Sequence, residues 1–419
     1  MSVAALFTTD EEFAAKLEWA RAFLDAEVLP LEVMEDPARR DARLGELRAA
    51  VREAGLWAPH LDPELGGQGY GQLKLGLLHE VLGRSRPWGP LAFGCGAPDS
   101  GNSEILARHA TEAQRERWLL PLLAGELRSA YAMTEPGAGA DPTLLTTRAE
   151  RDGDGWRLDG DKWFITNAAH ADFIIVMAVS DPDAAPHARA TQFIVPRGTP
   201  GLEVVRVLGS MENPRPRDDD PEHHAEVTLR GVRIGDDARL GPRGEGFRIA
   251  QERLGTGRIH HSMRWIGQAQ RALDMLCERA LSRYAHGSLL AEKQTVQNWI
   301  ADSAADLHAA RLMTLHAAWK IDHEGVRAAR REISMIKCWG ARVLHEVIDR
   351  AIQVHGALGY STDLPLEFMY RDARAARLYD GPDEVHRAAV ARSVLRDYTP
   401  PADGVPREDV PARRAHLGA

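Results

Sequence analysis

The chain contains few cysteines and few lysines. Among its 419 residues are three widely separated cysteines, Cys95, Cys277 and Cys338, with no CxxC pair. This spacing argues against a disulfide framework and against a thiolate metal site, so we expect reduced thiols that serve in packing. Lysine supplies six of the 52 basic residues, and the formal net charge is -9. Nucleic-acid binding needs a concentrated basic face, which this sequence does not contain.

Several functional motifs are also absent. No apolar run approaches membrane-spanning length, and Asp10 to Glu12 interrupt the start of any secretory signal, so we expect a cytoplasmic protein. The nucleotide-binding motifs GxGxxG and GxxxxGK and the hydrolase motifs HExxH and GxSxG are missing. The pairs His223-His224 and His260-His261 are poorly spaced for a shared metal, because neighbouring side chains point apart. We therefore expect no metal site.

The hydrophobic pattern changes twice along the chain. Apolar residues recur every three or four positions from about Asp10 to Leu127, alternate with a period of two from Ser129 to Ile234, and return to the helical period until about Asp397. The pattern predicts an N-terminal helical domain at residues 1–128, a middle β domain at 129–240, and a C-terminal helical bundle at 241–397. The tail at 398–419 lacks an apolar face and is predicted to be a mobile extension or a clasp on a neighbouring subunit.

Several motifs in this order resemble the acyl-CoA dehydrogenase family. They are PELGGQG at 63–69, TEPGAGAD at 134–141, DGDKWFITN at 159–167, QAQRALD at 268–274, IQVHGALGYSTDLPLEFMYRDAR from Ile352, and LYDGPDEVHR at 378–387. The resemblance spans about residues 10 to 397. It implies an α+β, mostly α fold with an N-terminal helical domain, a β-barrel-like middle domain and a C-terminal four-helix bundle.

Three further segments are most similar to a subgroup of this family. They are APDSGN at 97–102, RIHH at 258–261 and DGPDEVH from Asp380. The subgroup includes the dehydrogenase domains of large animal proteins that carry a kinase-like domain in front.

The resemblance implies a bound FAD. It places Tyr131, Met133 and Thr134 along the flavin ring, with Thr134 donating toward the N5 edge, and Trp163 and Thr166 on the opposite side. Glycines such as Gly139 let backbone N–H groups approach the cofactor closely. The family commonly has serine where this chain has Ala140, so one hydroxyl contact is lost.

A second group of residues is expected to bind the cofactor, two of them across a subunit interface. Arg283 and Gln294 match family residues that reach the flavin cofactor of a neighbouring subunit, which implies a homodimer or homotetramer. Gln353 and Gly356 match the flavin-binding loop, and Glu384 matches a further cofactor contact. Besides Ala140, the chain departs from the family pattern at three further positions, His286, Ala357 and Pro382.

Asp380 is the candidate catalytic base. Read locally, RDARAARLY is a helix that ends at Tyr379, Pro382 begins the next helix, and Asp380 is a charged break between them. By resemblance, Asp380 occupies the position of the carboxylate that removes the proton α to a thioester carbonyl. The usual residue is glutamate, so substrate or backbone must lie roughly 1 Å closer.

Other members of the family take their base from the first helix after the β domain. The matching position here is Gly257, which has no side chain that could serve. Arg258, Tyr379 and Gly381 are expected to bind the substrate, with Arg258 directed toward its CoA portion.

These residues predict an FAD-dependent acyl-CoA dehydrogenase of fatty acid metabolism. Asp380 would abstract the α-proton while a β-hydride passes to flavin N5, giving a trans-2-enoyl-CoA. By resemblance, a flavin ribityl hydroxyl and the Asp380 backbone N–H would stabilise the thioester carbonyl, and an electron-transfer flavoprotein would accept the electrons.

Two alternatives stay open. Relatives of this fold that oxidise nitroalkanes use an aspartate base and pass electrons to oxygen. The departures at Ala140, Ala357 and Pro382 also suit a non-catalytic flavin-binding scaffold.

Overall fold

The computed structural model describes residues 9–216, 223–401, 404, 406 and 409–416. Its first part is helical, and capping side chains define where the longer helices begin: Asp10 accepts a hydrogen bond from the Phe13 amide at 2.9 Å, and Asp36 caps the next helix ahead of Pro37. The helices are α1 (Glu11–Phe23), α2 (Pro37–Glu53), α3 (Gln72–Leu82), α4 (Trp88–Ala92), α5 (Asp99–His109), α6 (Glu112–Gln114) and α7 (Leu120–Ala124).

A mostly antiparallel sheet follows these helices. Its strands are β1 (Ser129–Ala132), β2 (Arg148–Asp152), β3 (Gly155–Thr166), β4 (Phe173–Val179), β5 (Ala190–Pro196), β6 (Leu202–Leu208), β7 (His224–Gly235) and β8 (Arg239–Leu240). The strand order is β6-β7-β3-β2-β4-β5-β8, and β1 pairs with β4 in parallel. The apolar run FIIVMAV forms β4 and is buried along almost its whole length, as a strand covered on both faces must be.

Long helices form the last part of the chain. After α8 (Gly246–Ser282), a hairpin of β9 (Tyr284–Ala285) and β10 (Ser288–Leu289) leads to the remaining helices. They are α9 (Gln294–Glu324), α10 (Arg330–His355), α11 (Ala357–Tyr360), α12 (Leu366–Ala375), α13 (Asp383–Leu395) and α14 (Val410–His416). Helix α8 packs on α3, α9 and α10, and one apolar cluster joins both helical parts, from Phe13 and Phe93 to Trp265 and Leu344.

The predicted fold class is confirmed: helices at both ends flank a central sheet in a mostly helical α+β protein. In the part of the chain that the structure describes, no helix is long and apolar enough to cross a membrane. The predicted tail contains the short helix α14, and its residues 402–403, 405, 407–408 and 417–419 lie outside the described residues, as do residues 1–8.

One predicted helix boundary is wrong. Helix α12 ends at Ala375, before the predicted Tyr379, and Pro382 caps α13 as the residue before its first turn. The buried Lys337 ammonium takes the Ala376 carbonyl at 2.6 Å, and Asp380 has a φ of +55°, so the backbone leaves the helical path. Periodicity in the sequence could not reveal this, because the lysine comes from a different helix, α10.

Candidate active site

The two motifs assigned to the flavin meet in the structure. The Trp163 amide of β3 donates to the Thr134 carbonyl at 2.9 Å. Strand β3 has a register shift between Lys162 and Ile165, and Phe164 there has a φ of +55°. Such a bulge re-aims side chains locally, which leaves Trp163 half-buried and Phe164 exposed.

A buried ion pair fixes this junction from beneath. Lys162 Nζ is 2.8 Å from Glu135 Oε1, with side-chain exposures of 0% and 2%, and it also donates to the Met133 carbonyl at 3.1 Å. Glu135 accepts further hydrogen bonds from Thr146 and Thr147. Burial opposes ionisation of Glu135, but the Lys162 ammonium and these hydrogen bonds outweigh it and lower the pKa of the carboxyl to about 2.

The same region has features that suit a flavin. The buried indole Nε1 of Trp163 has no hydrogen-bond partner among the described residues, and a buried donor of this kind is normally satisfied. A Cβ added at Gly137 or Gly139 would meet no atom within 4 Å, so the backbone there is open to an approaching group. Thr166, by contrast, already contacts His224 Nδ1 at 3.1 Å.

Tyr131, another predicted flavin residue, belongs to a polar junction between the sheet and α8. Its hydroxyl accepts from Gln192 at 2.9 Å, and the Arg253 guanidinium lies 4.2 Å from its ring centre. Burial raises the pKa of the phenol to about 12, so Tyr131 stays protonated at neutral pH.

Three of the residues predicted to bind the cofactor, Arg283, Gln353 and Gly356, lie together where α8 and α10 end. Arg283, Gln353, Gly356 and Ala357 line one groove of about 460 Å³. Gly356 has a φ of +64° and ends α10, which turns the loop toward this groove.

The other predicted cofactor residues lie outside this lining. Gln294 is exposed at the first residue of α9, Glu384 is exposed on α13, and His286 is exposed in the hairpin. Their roles stay predictions.

The backbone of Asp380 is held by three donors. Arg258 Nε and Nη2 donate to the Asp380 carbonyl at 3.1 and 2.9 Å, and His386 Nε2 lies 3.1 Å from the same oxygen. Burial lowers the pKa of His386 to about 4, so the ring is neutral and presents a single N–H to the carbonyl. In the structure Arg258 thus contacts the backbone of the candidate base, and its expected role toward CoA stays a prediction.

The Asp380 side chain lies against a histidine. Its Oδ2 is 3.4 Å from His261 Nε2, and both side chains are 19% exposed. His261 and His260 point to different surroundings, as expected for helix neighbours, because His260 stacks on His79 with ring centres 4.4 Å apart. In the described ranges no group of histidine, cysteine or acidic side chains could hold a metal ion.

Tyr379 packs beneath the base with two residues of the bundle. The Trp265 indole donates to its hydroxyl at 2.8 Å, and the Lys337 ammonium lies 5.6 Å from its ring centre. Gly381 has a φ of +94°, and a Cβ there would lie 2.9 Å from His386 Nε2. Both residues therefore shape the loop that carries Asp380.

Sequence reasoning missed Lys162, Lys337 and His261. A signal existed for the two lysines, because each falls on an otherwise inward face: Lys162 alternates with Trp156 and Leu158 in β3, and Lys337 lies between Ile333 and Gly340 in α10. A lysine on such a face needs a buried partner. For His261 the only signal in the sequence was that it forms a pair with His260.

Comparison with known proteins places this architecture among the flavoprotein dehydrogenases. Models of the acyl-CoA dehydrogenase N-terminal, middle and C-terminal domains match residues 10–126, 130–214 and 244–395. The chain therefore belongs to the acyl-CoA dehydrogenase family, as the motifs predicted.

Individual relatives agree with this family assignment. The Mycobacterium tuberculosis protein named "Probable acyl-CoA dehydrogenase FadE2" is 44% identical over 356 residues, covering 84% of this chain and 85% of that one. Acyl-CoA dehydrogenase family member 11 of Rattus norvegicus is 39% identical over 359 residues, covering 84% of this chain but 45% of the relative, so this chain spans under half of its length. The solved structure of PigA with FAD and proline superposes with a TM-score of 0.81 at 26% identity, covering 93% of this chain and 99% of that one.

The protein is accordingly an oxidoreductase with FAD as its cofactor, as predicted. The residues present fit that cofactor, because the Trp163 indole has no partner among the described residues and a Cβ at Gly137 or Gly139 would meet open space. Trp163, Met133 and Thr134 would flank the ring, and the groove at Arg283 and Gly356 would take a charged portion of a cofactor.

Proposed function

We propose that the protein oxidises the Cα–Cβ bond of an acyl-CoA to the trans-2-enoyl-CoA, with Asp380 as the base that removes the α-proton. The observation that carries this proposal is the fixed backbone of Asp380, whose carbonyl accepts from Arg258 and His386 while its carboxylate stays partly accessible beside His261. A base needs such fixed geometry within hydrogen-bond reach of the substrate.

Each step on the protein side has a named group. Oδ1 or Oδ2 of Asp380 takes the α-proton, and the Asp380 backbone N–H donates to the thioester carbonyl, where negative charge develops. Arg258 holds the same residue from the carbonyl side, so both groups keep their spacing. When bound, FAD supplies the acceptor for the hydride that leaves the β-carbon.

The finer assignments complete the proposal. The acceptor of the electrons is an electron-transfer flavoprotein, and the enzyme works in fatty acid metabolism as a cytoplasmic homodimer or homotetramer. Support for an interface comes from the groove, because Arg283, Tyr284 and Leu281 beside it are all exposed in the single chain. In this assembly Arg283 and Gln294 would contact the cofactor of the neighbouring subunit.

The decisive experiment is anaerobic reduction of the flavin by a panel of acyl-CoA thioesters in the parent enzyme and in Asp380→Asn. Asparagine keeps the volume and tolerates positive φ as aspartate does, so the variant should fold and bind FAD. Loss of the base should slow flavin reduction by about 10²- to 10⁴-fold. Asp380→Glu should retain partial activity, because it keeps a carboxylate at this position but moves it roughly 1 Å outward.

Three results would contradict this proposal. Flavin reduction in Asp380→Asn at the parent rate would remove Asp380 as the base. A parent enzyme whose flavin no acyl-CoA bleaches, but which consumes oxygen rapidly with a nitroalkane, would favour the oxidase alternative. A purified protein that binds FAD, but whose flavin is reduced by neither an acyl-CoA nor a nitroalkane, would favour the scaffold.

A further inference from the structure

His261 lies between the candidate base and a buried arginine. Its Nε2 is 3.4 Å from Asp380 Oδ2, and its Nδ1 is 3.0 Å from Arg264 Nη2. The same guanidinium reaches His79 Nδ1 at 3.3 Å through Nη1. Both nitrogens of the His261 ring therefore face charged side chains, one cationic and one anionic.

These contacts determine where the ring proton lies. A guanidinium has donors only and does not lose its proton in proteins. His261 Nδ1 must therefore accept from Arg264, and the single proton of a neutral ring must be on Nε2, directed at Asp380. Burial, together with neighbouring cations, lowers the pKa of His261 well below its ordinary 6.5, which agrees with a neutral ring.

We propose that His261 is a positioning residue for the base: its Nε2–H donates to Asp380 Oδ2 when substrate closes the site, and Arg264 fixes the tautomer that makes this possible. This inference rests on the proposed role of Asp380. Catalytic hydrogen bonds are often long before substrate binds, so a 3.4 Å separation suits a contact that shortens in the complex. A donor to the carboxylate keeps it oriented toward the α-proton, and in general a hydrogen bond to a charged acceptor favours the charged form.

Among the described residues, the ionisable neighbours of His261 include a single carboxylate that can accept from its Nε2–H. The ionisable groups that face the ring are Arg264 and His260 of α8, Arg86 after α3, Lys337 of α10, and Tyr379 and Asp380 of the loop. Asp380 is the one carboxylate in this set. The Tyr379 hydroxyl already accepts from Trp265, and the Lys337 ammonium is directed to the Ala376 carbonyl.

The test uses the full chain loaded with FAD and the pH profile of anaerobic flavin reduction by a reactive acyl-CoA. His261→Leu removes the donor, whereas His261→Gln places an amide N–H where Nε2 was. We expect His261→Leu to slow reduction about tenfold and to move the acidic limb of the profile upward by about one pH unit. His261→Gln should return the acidic limb of the profile to its position in the parent. The control His308→Gln, at an exposed site on α9, should match the parent in rate and profile.

A second measurement does not depend on activity or on a variant that folds. The ¹⁵N resonances of the His261 ring in the FAD-loaded parent should show a protonated Nε2 and an unprotonated Nδ1 across neutral pH. The opposite tautomer, or a doubly protonated ring, would overturn the inference, as would a His261→Leu profile that superposes on the parent. Asp380→Asn in the same series separates the two ideas: if it is inactive while His261→Leu is normal, the base assignment stands and the positioning role fails.

Discussion

Two adjacent residues with positive φ shape the loop that presents the candidate base. Asp380 has a φ of +55° and Gly381 a φ of +94°. Aspartate is among the few non-glycine residues that adopt the left-handed region at modest cost, whereas glycine adopts it freely. The family's usual glutamate has no such local advantage, so the shorter side chain and this loop conformation suit each other.

We predict that Gly381→Ala damages this loop. The new Cβ would lie 2.9 Å from His386 Nε2, in a backbone conformation that alanine resists, and the shift of His386 would loosen the Asp380 carbonyl. The unfolding free energy should fall by about 1–2 kcal/mol, with slower flavin reduction. Urea unfolding and anaerobic reduction measure the two effects.

The matched control is Gly257→Ala. That position is inside α8, and an added Cβ meets no atom within 4 Å. It should leave stability unchanged or raise it by about 0.5–1 kcal/mol, because alanine is the better helix former. Equal effects of the two substitutions on stability would contradict the special geometry of Gly381.

At the scale of elements, strand β3 joins the sheet to the segment that follows β1. The junction consists of the Trp163–Thr134 backbone hydrogen bond and the Lys162–Glu135 ion pair beneath it. Removing one partner of a buried pair leaves the other charged and uncompensated. The pair therefore matters for holding the flavin segment, whatever its net contribution to stability.

We predict that Lys162→Met destabilises the protein by about 3–5 kcal/mol and weakens FAD retention, since Glu135 and the Met133 carbonyl both lose their donor. Thermal unfolding and the FAD content after gel filtration report these changes. Arg206→Met, which breaks an exposed pair with Glu226 between β6 and β7, is the control and should cost less than about 1 kcal/mol. A Lys162→Met enzyme as stable as this control would show that Glu135 is satisfied in another way.

At the scale of the whole molecule, the helical core contains histidines that must stay neutral. Burial lowers the pKa of His60 and His386 to about 4 and that of His79, His260 and His261 well below 6.5. The unfolded chain binds protons near pH 6.5 while the folded chain does not. Stability from these groups is therefore complete above pH 6.5 and is lost as the pH falls toward about 4.

We predict that the unfolding free energy drops steeply between pH 6.5 and about 4, even though burial raises the pKa of Glu104 and Asp99 and these groups act in the opposite direction. His60→Gln should reduce the slope by up to about 1.4 kcal/mol per pH unit. Urea titrations at several pH values measure this slope of unfolding free energy against pH, and His308→Gln at an exposed site is the control. A wild-type slope near zero over this range would mean that the buried histidines gain protons without unfolding.

The assembly gives the last prediction. The groove at Arg283, Gln353 and Gly356 lies at the surface of the single chain, so we expect one FAD per subunit in a homodimer or a dimer of dimers. Arg283→Ala should lower FAD retention, because a guanidinium suits a pyrophosphate, while Arg21→Ala on α1 should not. Light scattering coupled to absorbance checks both, and a monomer that keeps its FAD would contradict the shared site.

The sequence alone determined the fold class, the family and the cofactor. The hydrophobic period, which changes near Ser129 and again after residue 241, is a local pattern and indicates the order helices, β domain, helices. The family and the cofactor follow from the resemblance that motifs such as TEPGAGAD and DGDKWFITN carry. The resemblance also pointed to Asp380 as the candidate base, whereas its local sequence alone indicated a charged break between two helices.

Only the tertiary structure decided what surrounds Asp380. Lys337 donates to the Ala376 carbonyl just after α12, Arg258 and His386 hold the Asp380 carbonyl, and His261 faces its carboxylate. Arg258 and His261 belong to α8 and Lys337 to α10, so at least one other helix separates each of them from Asp380 in the sequence. Hydrophobic period and turn chemistry describe neighbours along the chain. Contacts across a packed core depend on which faces the helices bury against each other, and that is fixed only when the whole chain folds.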